Sequence, residues 1–146
     1  MELSNSEQCP ECGCFNNRGI SIDAVIISDA KIILIKRGAN PFKGFWVLPG
    51  GYVEWDESTE DTVSREVREE LGLSVESCEL IGVYSVPSRH PKQVINIAYF
   101  VVTSGNPKAG DDALEYEWFS LNDLPNELAF DHKKIISDYL AKIKYQ

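Results

Sequence analysis

Apolar residues along the chain cluster in short runs of strand length. Residues 20–27 and 31–36 are dense in Ile, Val and Leu, with Asp23 the only charge inside the first run and Ser28-Asp29-Ala30 between the two. β-Branched runs around a short polar break predict two paired strands. After a loop punctuated by Gly38, Pro41 and Gly44, residues 45–48 predict a third, short strand, stopped by Pro49-Gly50-Gly51. Residues 75–86 and 94–102 predict two longer strands, separated by the Pro- and Arg-containing loop 87–93. A Gly/Pro/Asp loop, 104–112, leads to a last strand at 116–119.

Two segments change period. Val63, Val67 and Leu71 recur at every fourth position, which is the stripe of a helix with one buried face. Ser58 or Thr59 supplies its cap, Glu60 and Asp61 fall in its first turn, and Gly72 ends it. From 132 to 143, Ile135, Ile136, Tyr139, Leu140 and Ile143 mark a second helix. Strands mixed with two helices imply an α/β or α+β layered domain. Residues 1–18 are polar and cysteine-bearing, an appendage to a single domain over 19–146.

The net charge of −9 repels nucleic acid, so no nucleic-acid partner is expected. No run approaches the roughly 20 apolar residues that span a bilayer, and the N-terminus lacks the basic and apolar regions of a secretory signal. A cytoplasmic protein with no membrane partner is expected. Cys9, Cys12, Cys14 and Cys78 form a poor disulfide framework, consistent with a reducing compartment.

The chemistry concentrates in residues 51–73. Glu66, Glu69 and Glu70 fall at i, i+3 and i+4, on one face of the first helix. Three adjacent carboxylates repel, and a hard divalent cation such as Mg²⁺ or Mn²⁺ relieves the conflict because it prefers oxygen ligands. Arg65 and Arg68 can orient individual carboxylates. Gly50 and Gly51 let the backbone approach the cation, with a carbonyl oxygen to offer. A surface helix of solvated glutamates explains any one of these acids, but gives no reason for Gly51, Glu57 and Gly72 at their offsets.

The stretch resembles the Nudix box, G-x5-E-x7-R-E-U-x-E-E-x-G-U with U a bulky aliphatic, and matches every defined position, with Val67 and Leu73 at the aliphatic sites. The resemblance implies a mixed-sheet α/β/α sandwich that hydrolyses a nucleoside diphosphate linked to another group. It also implies Glu66, Glu69 and Glu70 as metal ligands, the Gly50 carbonyl as a fourth, and Glu57 as a brace near the outer metal shell, working through Arg65. A general base is implied either in the box, at Glu69 or Glu70, or in a later loop, where Asp112 and then Glu115 are the candidates.

For the second group, Trp46, Phe42, Tyr84 and Phe130 can stack on a base, and Arg37, Arg89, His90 and Lys92 can meet phosphate or ribose, although core packing explains most aromatics at such positions. Residues 83–91 and 128–132 resemble segments of ADP-ribose pyrophosphatases, pointing to ADP-ribose. Oxidised nucleoside triphosphates and NADH are the alternatives, and a nucleotide-binding sensor module is the non-enzymatic one. Cys9-Pro10-Glu11-Cys12-Gly13 resembles one knuckle of the zinc ribbon that precedes NADH pyrophosphatases. Lacking a second pair, Cys9 and Cys12 read as a vestigial knuckle or as half of a Zn²⁺ site shared across a homodimer.

Overall fold

The computed structural model describes residues 8–108 and 115–144. Its strands are β1 (Ile20–Val25), β2 (Ile27–Ser28), β3 (Lys31–Lys36), β4 (Trp46–Val47), β5 (Gly50–Tyr52), β6 (Ser74–Tyr84), β7 (Ile95–Ser104) and β8 (Tyr116–Ser120). Helix α1 (Thr59–Leu71) stands between β5 and β6, and α2 (His132–Lys144) follows β8.

The first apolar run does not pair as a unit with the second. It turns a corner at Ile26: β1 lies parallel to β7 and antiparallel to β5, and only β2 forms a hairpin with β3. Asp29 and Ala30, both at positive φ (50° and 59°), make the tight turn that a two-residue hairpin loop requires. The first sheet therefore has the order β5-β1-β7-β6 and is mixed. In the second, β3 carries β8 along one edge and β2 and β4 on the other.

Alternate residues of β1 and β3 are buried on opposite faces, which is why both runs are apolar throughout. Ile22, Ala24, Ile33 and Ile35 join the cluster that holds Val63, Val67 and Leu71 of α1. Val25, Ile32 and Leu34 join Ile135, Ile136 and Tyr139 of α2. The result is the expected α/β/α arrangement, with a helix against each side of the sheets. Among the described residues, no helix is long and apolar enough to cross a membrane.

Helix α1 starts in a capping box. Ser58 Oγ accepts the Asp61 N–H at 3.0 Å, and Asp61 accepts the Ser58 N–H at 2.9 Å. It ends at Gly72 (φ 66°), whose N–H donates to the Arg68 carbonyl. Gly50 and Gly51, read from the sequence as the end of a strand, instead open β5, in register with Asp23 and Ile22 of β1. The absence of a side chain permits this: a Cβ on Gly50 would strike the Ile22 carbonyl and Asp23.

Candidate active site

Every site residue of α1 projects toward the β5 end of the first sheet, and Arg65 organises them. Its Nε donates to Glu57 at 2.7 Å, Nη1 donates to Glu66 at 2.8 Å and Glu69 at 3.3 Å, and Nη2 donates to the Tyr52 carbonyl at 3.0 Å. Glu57 also accepts the Glu54 N–H and the Thr62 hydroxyl, tying the loop before α1 to its first turn. This saturation, led by Arg65, holds the Glu57 carboxyl down at about 2.

Glu70 has no such cation. It is buried on the inner side of α1 and accepts the Gly50 N–H at 2.9 Å. Burial first, then the charge of Glu66, pushes its carboxyl up to about 9. Glu66 is raised too, by burial, against the opposing pull of Arg65. Its carboxylate lies over Gly51, where a Cβ would overlap it. Glu69 is half exposed, touched only by Arg65. Glu66, Glu69 and Glu70 thus form an all-oxygen donor set with a shortage of positive charge, which fits a hard divalent cation.

Beside the carboxylates opens a cavity of about 390 Å³ lined by Glu70, Gly50 and Gly51 together with Arg37, Arg89, His90 and Phe130, within the usual size range of small-molecule sites. A chain of contacts crosses its floor. Gly50 abuts Asp23, Asp23 accepts from His132 Nε2 at 2.9 Å, and the His132 ring is 5.6 Å from Phe130. Phe130 stacks on His90 at 4.9 Å and lies 5.2 Å from the Arg37 guanidinium. Burial, then Arg89, lowers the pKa of His90, favouring the neutral ring.

Arg89 and Lys92 apart, the remaining predicted residues fall away from the cavity or outside the described residues. Arg89 reaches the cavity wall, but its donors are committed to Asp131 (2.8 Å twice) and the Val94 carbonyl (2.9 Å). Trp46 packs edge-on against Phe119 on the α2 side, and Tyr84 donates to Asp138 there; neither lines the cavity. Glu115 pairs with Lys36 at 3.1 Å, Lys36 being a cavity residue, and Asp112 lies outside the described residues. Cys9 and Cys12 sit in a small loop closed by Cys9 N–H to Cys14 carbonyl (2.7 Å) and Gly13 N–H to Cys9 carbonyl (2.9 Å). Among the described residues no group of three or more His, Cys, Asp and Glu side chains, Glu66, Glu69 and Glu70 included, is gathered to hold a metal as it stands; Glu66 and Glu69 are turned to Arg65.

Asp23, Asn96 and His132, all buried, were not singled out as site residues in the sequence. The signals were Asp23, a lone charge in an otherwise apolar run, and the place of His132 in the segment 128–132 that resembles ADP-ribose pyrophosphatases.

Comparison with known proteins identifies the family. The NUDIX domain model matches residues 17–139. The chain is 53% identical over 123 residues to an ADP-ribose pyrophosphatase of Methanocaldococcus jannaschii, covering 83% of this chain and 72% of that one. It is 34% identical over 120 residues to the NAD-capped RNA hydrolase NudC of Pseudomonas aeruginosa, covering 81% of this chain but only 42% of that one. Among solved structures, a MutT/nudix family protein from Enterococcus faecalis superposes with a TM-score of 0.82 at 29% identity, over 96% of this chain and 66% of that one. The NUDIX domain of Shewanella oneidensis NrtR complexed with ADP ribose superposes with a TM-score of 0.79 at 27% identity, over 88% of this chain and 90% of that one. With a complete box folded onto one carboxylate face beside a nucleotide-sized cavity, the chain belongs to the Nudix family and is a Nudix pyrophosphohydrolase.

Proposed function

We propose that this enzyme cleaves the diphosphate of ADP-ribose, or of a closely related nucleoside diphosphate sugar, with Mg²⁺ or Mn²⁺ held by Glu66, Glu69 and Glu70. The observation that carries the proposal is the continuity of the cavity. Glu70, the one of the three acids that lines the cavity, shares it through Gly50 and Gly51 with the Phe130, His90 and Arg37 group, which offers flat and cationic surfaces to a base or ribose. Similarity to an ADP-ribose pyrophosphatase supports the same substrate.

A divalent cation bound here supplies Lewis acidity and charge neutralisation to the diphosphate. The chain supplies position. Arg65 and Glu57 fix the helix against the loop, the Gly50 N–H fixes Glu70, and the Gly50 carbonyl is the fourth oxygen we assign to the metal. We assign proton acceptance to Glu69, the most exposed of the three acids. Water attacks one phosphorus, Glu69 takes its proton, and the bridging P–O bond breaks to give two phosphomonoesters. Among the loop acids Glu115 is already engaged by Lys36. Four free cysteines accord with a cytoplasmic setting.

The test is a hydrolysis screen with Mg²⁺ and Mn²⁺ over ADP-ribose, NADH, nucleotide sugars and oxidised dGTP. Metal-dependent release of AMP and ribose 5-phosphate, with ADP-ribose the preferred substrate, is the expected result. Preference for a triphosphate would overturn the assignment.

A further inference from the structure

The floor of the cavity gathers most of the buried polarity of the molecule. Of the buried polar or charged residues among those described, Asp23, Glu70, Asn96 and His132 meet here, and only Thr62 lies apart, at the start of α1. A buried carboxylate is costly unless its oxygens are satisfied.

Asp23 is satisfied on one oxygen only. Asn96 Nδ2 donates to Oδ2 at 2.7 Å, and His132 Nε2 donates to the same atom at 2.9 Å. The tautomer of His132 is fixed from behind, because its Nδ1 accepts the Leu48 N–H at 3.0 Å. Asn96 is oriented by the Ser21 hydroxyl, which donates to its oxygen at 3.1 Å. No buried side-chain oxygen or nitrogen among the described residues lacks a partner. Oδ1 of Asp23 has none, so it is not fully buried; it lies over Gly50, and Asp23, with 11% of its side chain exposed, lines the cavity.

The packing itself does not call for a carboxylate here. An amide oxygen would accept the same two N–H groups. What the acid adds is a second acceptor, negatively charged and unpartnered, on the wall of the cavity that Glu70 also lines.

We propose that Asp23 selects the substrate: its Oδ1 accepts a hydrogen bond from a hydroxyl of the sugar attached to the diphosphate and repels a third phosphate. A sugar hydroxyl brings a proton to this oxygen, whereas a phosphate brings only acceptors and like charge. The inference rests on the diphosphate being held at the Glu66, Glu69 and Glu70 face.

Asp23→Asn tests it cleanly, because the two converging donors dictate how the amide sits. Its oxygen must take the N–H groups, which leaves its NH₂ facing the cavity and reverses the polarity there while the network survives. The readout is the ratio of kcat/KM for ADP-ribose over ATP, together with the ratio of affinities for their methylene-bridged, uncleavable analogues. Both ratios are expected to fall at least about tenfold, the scale of one partly screened like-charge contact removed, at an unchanged melting temperature. Asp23→Ser, which also removes the charge, is expected to move the ratios the same way should the amide variant fold poorly. A parallel loss for both compounds, with the ratios unmoved, overturns the proposal. The two readings separate: a wild type that cleaves neither compound while its analogue affinities shift in the variant overturns the proposed hydrolysis and upholds the filter. Cleavage of ADP-ribose with unmoved ratios does the reverse.

Discussion

Glu70 is a carboxyl group with one N–H donor, no cation and little water around it. Its value of about 9 in the folded chain, set by burial and then Glu66, lies far above the roughly 4.3 of an unfolded glutamate. The folded state therefore keeps a proton that the unfolded state releases across that window, and the metal-free protein loses stability as pH rises through it. Below the lower value both states are protonated and the effect vanishes. Glu70→Gln is expected to flatten this part of the melting-temperature profile, measured in EDTA from pH 5 to 9. It is also expected to lower kcat by about a hundredfold or more, since it removes a carboxylate we assign to the cation site. A variant with wild-type kcat would take Glu70 out of the cation site. At Gly51 the constraint is steric: Gly51→Ala places a methyl on the Glu66 carboxylate, so the concentration of Mn²⁺ giving half-maximal activity should rise. An unchanged activation curve would show that Glu66 has room to move without consequence.

Helix α1 holds these groups at fixed spacing, and its first turn is secured by the reciprocal bonds of Ser58 and Asp61. Ser58→Ala should cost about 1 kcal/mol in urea denaturation, the usual value of a lost N-cap. Asp61 is held below its ordinary value, mainly by the Ser58 N–H and next by its hydroxyl. That contribution is complete above the unfolded value of about 3.9 and disappears as pH falls through the lower folded one, so Asp61→Asn should flatten the profile only in acid. The element was readable in the sequence because cap, stripe and terminal glycine are all local to it. The second helix and β3, β6, β7 and β8 were readable for the same reason, since their patterns are internal. The corner at Ile26 was not, because the run on either side of it is equally apolar and only its partners differ, β7 and β5 before it and β3 after it. β5 escaped likewise: Gly50 and Gly51 look like a stop until Ile22 and Asp23 are alongside them. In the site, the box acids were legible from spacing along one chain segment. Asp23, Asn96 and His132 come from β1, β7 and α2, and no pattern within any one of those elements announces their meeting.

Across the whole molecule, the cavity is formed where the loop between β6 and β7 meets the approach to α2, and Arg89 and Asp131 make that junction. Arg89 is 5% exposed, forms a two-point pair with Asp131, and spends its remaining arm on the Val94 carbonyl. Asp131 follows Phe130, the aromatic wall of the cavity, and precedes the His132 that holds Asp23. The guanidinium, read from the sequence as a substrate contact, thus has its geometry used up in shaping the cavity. Arg89→Ala leaves a half-buried carboxylate and a carbonyl without their donors, so it should cost about 3–5 kcal/mol in denaturant unfolding, the range for breaking a buried pair by removing one partner. Arg89→Lys keeps the charge but cannot make the two-point contact, and should fall between. In activity, the loosened Phe130 wall should raise KM more than it lowers kcat, because the carboxylates of α1 are held by Arg65 and Gly50 and do not depend on this junction. A loss under about 1 kcal/mol, as for a solvent-exposed ion pair, would mean that the junction closes without Arg89. A drop in kcat alone would mean that Arg89 reaches the diphosphate after all.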